Sequence, residues 1–530
     1  MSVRRLLSPL ALASVVLLAG CQELTVANPN EPDRTRVTGQ PAATEALISS
    51  SFGVWWPWAQ HYYPTQVLST VADEMTNAFA DYGELDASSE PRTAYNNSSQ
   101  YTREAVNRDP WNGLHRVVSN VNDALAALRR GVPVADSMRA RAVARFVQGL
   151  AHGYLALYFD SAYVVTELTD LYEAQPVRQP YSVVMDTALS ELSQAIAIAQ
   201  ANTFNLPTPG WLYKAMTNLD LARLARSYRA RLRASVARSR SERAAVDWNQ
   251  VVGDIDAGIV QDFSPQAIPE VLVDNYKRLL GRQRTNIPGD FGRIDYWLLG
   301  PADSTNGFIT WVNTAVASRV KFQLRSRDRR IHPAGLPAGI GLYVGYTTSE
   351  RWANSRGTYH QTRYYFKRFG VNTAWQDSLL PALTLAEMNL LKAEALIRLN
   401  RAAEAVPLIN LTRVANGQLP PVTIDGPPDV AGCVPRKVMP GGALQGTCGS
   451  LWDALRYEKR IEMIGVAAVV AFADARGWQA LVENSFVHLP IPGDELDVLR
   501  KPYYSHGGGQ GNSAPAPDPE RCPVALNRCP

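Results

Sequence analysis

The sequence predicts a mainly α protein whose helical hairpins are interrupted by one large irregular, partly β insertion. Three observations carry this. Apolar residues recur at 3–4 spacing through most of the first 260 positions. That periodicity fades between about 260 and 380, where Gly, Pro, Trp and Tyr become frequent and short β-like runs such as "YYFKRF" appear. It resumes from 381 to about 480.

The helices follow in order. In 114–128, Leu114, Val117, Val118, Val121, Leu125 and Leu128 share one face. In 139–159 the stripe is Val143, Phe146, Val147, Leu150, Tyr154 and Tyr158, and in 182–200 it is Val184, Leu189, Leu192, Ile196 and Ala199. A fourth helix, 211–236, is rich in Ala, Leu and Arg, and Asp247 to Gly258 begins a fifth. These pairs resemble tetratricopeptide-like helical hairpins, although no strict repeat period is visible. After the insertion, "LTLAEMNLLKAEALIRLN" and "AAEAVPLINLTRVANG" form a hairpin with Asn400 at the turn and Gly417 past the end. A Gly/Pro loop, 417–449, precedes a helix over 450–464.

With 46% apolar and 19% charged residues the chain has ample material for a core, and its net charge of +4 excludes a dedicated nucleic-acid binder. The excess is aromatic: with 22 Tyr and 12 Trp, an exposed subset would suit stacking on sugar rings. The N-terminus reads as an export signal. Arg4 and Arg5 precede an apolar run from Leu6 to Leu18, which is too short to span a membrane, then small residues and Cys21. "LAGC" is the lipobox pattern, in which Cys21 becomes the N-terminus and carries acyl chains that anchor at roughly 0.8 kcal/mol per buried CH₂. Gln22 rather than Asp after it favours the outer membrane. Removing Cys21 from the count of five leaves two close pairs, Cys433 with Cys448 and Cys522 with Cys529, both in Pro/Gly-rich segments that suit short disulfide-closed loops. A zinc site is the weaker alternative, because neither pair is C-x-x-C or has a His nearby.

No catalytic constellation stands up. There is no G-x-S-x-G and no H-E-x-x-H, and the seven His are scattered. Asp73 and Glu74 are paired carboxylates, but adjacent side chains diverge, whereas glycoside hydrolysis needs two carboxyls facing across a bond. "RSRDRR", Arg325 to Arg330, reads as a solvated turn or strand edge. "WWPWAQHYY", Trp55 to Tyr63, and Trp111 read as packing residues. Trp297, Trp311, Tyr343, Tyr346 and Trp352 lie in the irregular insertion, where loops on a rigid scaffold carry binding residues, and are the candidates for ligand contact.

Several separated segments, in order, resemble the SusD/RagB nutrient-uptake outer-membrane lipoproteins. They are "NPNEPD" after the lipobox, "VSNVNDALAAL" after Trp111, "RARAVARFVQGLAHGYLALYFDSAYVVTE", the "AEAL…INLTR" hairpin, "LRYEKRIEMIGVAAVVAFADARGW", and "HLPIPGDEL" near the C-terminus. One departure stands out: Gly465 is followed by Val466-Ala467-Ala468, where the family usually has an Arg. Arg460, Glu462, Asp474 and Arg476 still read as a local structural network.

The residues themselves mark a signal peptide over 1–20, a tether over 21–45 and a low-complexity, mobile tail over 506–530, and the resemblance implies a single SusD-like domain over 46–505. Within the domain, 46–260 and 381–480 are helical and 260–380 is a ligand-facing insertion. It implies no catalysis and no cofactor. The expected role is capture of a glycan or peptide at the cell exterior and its delivery to a SusC-like TonB-dependent transporter. Two other classes compete with it: a surface glycoside hydrolase, and a tetratricopeptide-like scaffold for outer-membrane assembly.

Overall fold

The computed structural model describes residues 38–60, 62–77, 83–169, 176–266, 292–332, 341–348, 362–368, 381–437 and 448–517, together with the backbone of two short strands at 283–284 and 287–288. Cys21, Trp352, Cys522 and Cys529 lie outside the described residues.

The helical frame follows the apolar stripes. α1 (Pro41–Gln60) and α2 (Tyr62–Val71) lead to β1 (Met75–Asn77) and the short α3 (Glu84–Ala87). α4 (Ala105–Arg129) and α5 (Ser137–Tyr158) form the first long hairpin. Asp136 caps α5 by accepting from the Met138 and Arg139 amides. β2 (Ser161–Tyr163) pairs antiparallel with β3 (Arg178–Pro180), which leads into α6 (Tyr181–Ala201). β4 (Asn205–Leu206) pairs with β5 (Met216–Thr217), then come α7 (Asn218–Ser235), α8 (Arg240–Ala244) and α9 (Trp248–Asp256). Successive helices pack side by side: α1 on α4, α4 on α5, α5 on α6, α6 on α7 and α7 on α9.

The fourth helix starts seven residues later than its composition predicts. Trp211 and Tyr213 take positive φ in a turn, and α7 begins only where Thr217 and Asp220 form a reciprocal capping box. The aromatic run of α1 is packing, as expected: Trp55 and Trp56 are fully buried, and Trp55 meets Tyr154 of α5 edge-on at 5.0 Å.

The insertion holds strand pairs and short helices around a core of its own. β6 (Gln283–Arg284) pairs with β7 (Ile287–Pro288), and β8 (Gly292–Ile294) pairs with β1 in the register Met75–Ile294. α10 (Tyr296–Leu299) and α11 (Gly307–Asn313) follow, then β9 (Val344–Tyr346) and β10 (Tyr364–Phe366), which pair antiparallel. Ile294, Tyr296, Leu298, Leu324, Val344 and Phe366 form this second core with Ile461 and Ile464. The C-terminal frame comprises α12 (Leu385–Arg398), α13 (Ala402–Ala415), α14 (Leu451–Met463), α15 (Ala468–Gly477) and α16 (Gly493–Val498). Asn400 takes φ +59° at the α12–α13 turn.

Buried arginines tie the layers together. Arg231 of α7 reaches Glu387 of α12 at 2.5 Å. Arg243 reaches Glu394 at 2.7 Å and Asp474 at 2.9 Å, with Lys459 also on Asp474. "RSRDRR" is the main surprise. Its local pattern reads as a solvated run, yet Asp328 and Arg330 are completely buried, and Arg330 pairs with Asp328, Glu458 and Glu462 at 2.6–2.9 Å. The two glutamates arrive on α14, more than a hundred residues away, so no local pattern could announce the burial. Arg460, Glu462, Asp474 and Arg476 do not form one local network either. Glu462 belongs to the Arg330 cluster and Asp474 to the Arg243 cluster, while Arg460 and Arg476 donate to main-chain carbonyls.

After Gly465, where an Arg was expected by resemblance, Val466, Ala467 and Ala468 are buried core residues. Gly465 takes φ +71°, and a Cβ there would meet the Phe366 ring at 2.6 Å. Both the left-handed backbone and the close approach require glycine. Gly465→Ala is therefore expected to destabilise the fold by about 2 kcal/mol or more, read as a lower urea midpoint at unchanged slope.

The C-terminal segment closes back on the N-terminal half. The Leu489 amide donates to the Tyr158 carbonyl at 2.7 Å, Asn97 donates to the carbonyls of Ile491 and Tyr504, and the Tyr95 amide donates to the His506 carbonyl. Residues 506–517, expected as part of a mobile tail, are pinned: Gly508 donates to Asn484, Asn484 to Ala514 and Ala514 to Ser485. The glycines read as low complexity instead make a tight turn, with positive φ at Gly507, Gly508, Gly509 and Gly511.

Candidate functional site

One cavity joins the insertion to the C-terminal helices and gathers rings with cations. It has a cavity volume of about 90 Å³ and is lined by Trp297, Leu298, Pro301 and Phe308 on one side, Pro435, Arg436 and Lys437 on a second, and Asp453, Arg456, Tyr457 and Arg460 on a third.

Each wall has a local cause. Asp295 accepts from the Trp297 amide at 2.8 Å and starts α10. The chain then turns at Gly300, where a Cβ would meet the Phe308 ring at 2.2 Å, so only glycine lets Phe308 close over the turn. Asp303, 1% exposed, accepts from the amides of Thr305, Phe308 and Arg325 and fixes the entry to α11. Trp297 and Phe308 meet edge-to-face at 5.6 Å, and Trp311 lies beneath, stacked on Phe308 at 6.0 Å.

The second wall is the short segment after Cys433, which is disulfide-bonded to Cys448 with their Cα atoms 5.7 Å apart. The Arg436 amide donates to the Pro301 carbonyl at 2.7 Å, and its guanidinium donates to the carbonyls of Asp303 and Thr305. The third wall is one face of α14: Asp453, Arg456, Tyr457 and Arg460 fall at i, i+3, i+4 and i+7. Arg460 donates to the carbonyls of Trp297, Asp73 and Ala72 at 2.9–3.3 Å, which joins α14 to α10 and to the β1 turn. Burial, and then the Asp328 carboxylate, push the Tyr457 hydroxyl well above its ordinary value, so it stays protonated and donates to Asp328 at 2.7 Å.

Of the residues expected to touch ligand, only Trp297 lines this cavity among the described residues. Trp311 is buried beneath it, with Arg319 over its ring at 4.2 Å. Tyr343 is buried elsewhere in the second core, donating to Glu462 under the Arg368 guanidinium. Tyr346 is half-buried against Tyr364 at 5.1 Å. The candidates thus do not make one exposed platform. The residues missed were Phe308, Arg436, Lys437, Arg456, Tyr457 and Arg460. The last three carried a usable signal, a shared helix face, and Arg436 and Lys437 follow a cysteine closely.

Asp73 and Glu74 stand apart from the cavity lining. Asp73 pairs with Arg92 at 3.2 Å and Glu74 accepts from the Ser69 hydroxyl at 2.7 Å, and both are buried. Among the described residues no group of three or more His, Cys, Asp and Glu gathers as a metal site, and no helix is long and apolar enough to cross a membrane. A wider groove of about 560 Å³ runs along α4 between His115, Asn122 and Tyr163. Its lining has fewer rings and a mixture of both charges.

No protein-family model matches the sequence, and no curated protein matches it. Solved structures do. A SusD superfamily protein from Bacteroides thetaiotaomicron is 15% identical, with a TM-score of 0.55 over 87% of this chain and 96% of its own. A SusD-like carbohydrate binding protein from Bacteroides fragilis is 14% identical, with a TM-score of 0.54 over 90% and 95%. A laminarin binding SusD-like protein is 15% identical, with a TM-score of 0.52 over 88% and 99%. Helical hairpins interrupted by a partly β insertion, matched over nearly the whole length of these structures, give this chain the SusD-like fold.

Proposed function

We propose that the protein is a non-catalytic, surface-exposed binding lipoprotein that captures a glycan or peptide and delivers it to a SusC-like TonB-dependent transporter. The observation that carries this reading is the cavity between α10, α11 and α14, where aromatic rings and fixed hydrogen-bond donors converge on one volume. Ring faces suit the apolar faces of sugars, and guanidinium groups suit their hydroxyls. The names of similar structures, a carbohydrate binding protein and a laminarin binding protein, favour a glycan over a peptide. The lipobox at Cys21, followed by Gln22, supports an outer-membrane lipid anchor, and the family resemblance alone favours the exterior face.

A glycan and peptide array probed with the soluble form lacking residues 1–21 tests the ligand. Trp297→Leu then tests the cavity. It keeps apolar bulk but removes the π face, and is expected to weaken the best array ligand by about tenfold in calorimetry. Unchanged affinity with an intact melting profile would remove the cavity from the reading. Co-purification from gently solubilised membranes tests the partner: a large barrel should accompany the protein, and recovery of a free monomer alone would count against delivery.

A further inference from the structure

We propose that the groove along α4 is the docking site of the protein's own tether, Gln22 to Val37, a segment outside the described residues. The proposal stands apart from the glycan reading above and needs no lipid on Cys21.

Thr38, the first described residue, is itself part of the groove lining and is only 5% exposed. Its carbonyl accepts from the Thr44 hydroxyl at 2.9 Å, and its hydroxyl accepts from the Arg130 guanidinium at 3.2 Å. The chain before it therefore starts from a pinned point inside the groove, not from a loose end. From Arg130, just past the end of α4, the groove follows the helix back through Asp123 and Ser119 to His115. That course is about 23 Å at 1.5 Å per residue, and an extended chain covers it with about seven residues. From Gln22 to Val37 the tether is long enough to run the whole groove and leave about nine residues, or about 30 Å, as spacer towards Cys21.

The chemistry of the groove suits a peptide better than a sugar. Its two rings are not free faces. His115 lies against Trp111 at 4.4 Å, Tyr163 meets both of them edge-on, and the Tyr163 hydroxyl donates to Glu495 at 2.8 Å. The opposite wall, 165–169, is irregular chain that caps its own turn: the Thr169 hydroxyl accepts from the Thr166 amide, and the Thr166 hydroxyl from the Leu168 amide. The tether carries no aromatic residue, and Pro29 and Pro32 favour an extended course. Charge sets the register. Asp123 lies about 10 Å along the helix from Arg130. In an extended chain Arg36 and Arg34 lie about 7 and 13 Å before Thr38, so they bracket Asp123. The other acid in the lining, Glu167, is paired with Arg145 at 2.6 Å.

Hydrogen exchange tests this on two soluble forms, one starting at Gln22 and one at Thr38. Docking predicts that the wall over 163–169 exchanges about fivefold faster in the shorter form, with α6 unchanged as an internal control. In the longer form, Asp123→Arg should give the same acceleration, and adding Arg34→Asp and Arg36→Asp should reverse it. A purely structural role of Asp123 would not be rescued from the tether, so this arm decides even where the shorter form melts lower. Equal exchange in the two forms would overturn the proposal. An Asp123→Arg effect that the tether reversal leaves in place would overturn it too. Protection of the same amides by an array glycan, with no difference between the two forms, would give the groove to a ligand and reject the tether as its occupant.

Discussion

Arg330→Met is expected to cost about 3–5 kcal/mol of folding stability, enough to unfold much of the population at 37 °C. Arg330 is completely buried and meets three carboxylates that are equally buried: Asp328 at 2.6 Å, Glu458 at 2.7 Å and Glu462 at 2.9 Å. Burial already raises the Glu458 carboxyl above the usual carboxylate range, against the pull of Arg330. Arg413 and Arg368 lie farther out, at 3.6 Å from Glu458 and 3.4 Å from Glu462, and cannot substitute for a guanidinium that donates to all three acids. Removing Arg330 strands those charges in the second core, directly behind α14. Urea unfolding reads the loss. The mechanism is checked by adding Glu458→Gln to Arg330→Met. If stranded charge is the cause, the double variant regains part of the stability; a loss under about 1 kcal/mol in the single variant would mean the network contributes little.

The second large effect is acid sensitivity set by histidine. His152 sits on α5 with no exposed surface, and burial, followed by the nearby His115, lowers its pKa from 6.5 to about 3. Above pH 6.5 the group is neutral in both states and contributes no pH dependence. Below it the unfolded chain takes a proton that the folded chain refuses, so stability falls as pH drops towards the folded value. At about 1.36 kcal/mol per unit, the fall from pH 6.5 to 4 amounts to about 3 kcal/mol from this residue. His488 adds to it in the same direction, because burial also depresses its pKa. Urea midpoints between pH 7 and 4 should therefore decline, and His152→Gln should flatten the decline by one proton's worth whatever its effect at pH 7. A decline of the same steepness in the variant would assign the proton uptake to other groups.

The parts of the fold legible in sequence were those with local causes. The stripe from Leu114 to Leu128 predicted α4 because an amphipathic helix writes its own buried face at 3–4 spacing. Asn400 and Gly417 marked the α12–α13 hairpin through their turn chemistry, and the spacing of Cys433 and Cys448 marked a disulfide that the structure contains. The parts that failed depended on distant partners. Arg330 reads as a surface charge until Glu458 and Glu462 are brought to it, and Trp311 reads as a free ring until Phe308 and Tyr296 enclose it. The cavity is legible only in thirds, since its walls come from segments around 300, 436 and 456. Aromatic content pointed to the region of the cavity and to Trp297 in its lining, but Trp311 and Tyr343 are buried in the second core and Tyr346 packs on Tyr364, because in this insertion most rings build the wall rather than its surface.

The closure of residues 484–514 over the N-terminal hairpins bears on how the chain acquires its structure. Strand-like pairing of Phe159 with Leu489, and the bonds from Asn97 and Asn107 to carbonyls at 490, 491 and 504, join positions separated by more than 300 residues. The buried amides of Asn97 and Asn107, near the start of α4, gain these main-chain acceptors only when the last stretch of chain arrives. A polypeptide emerging from its N-terminus can form α4 to α7 early, since those contacts are local, but the start of the molecule stays open-ended until synthesis is nearly complete. A truncated product that stops before 480 would therefore be damaged farthest from its cut, at the opposite end of the sequence.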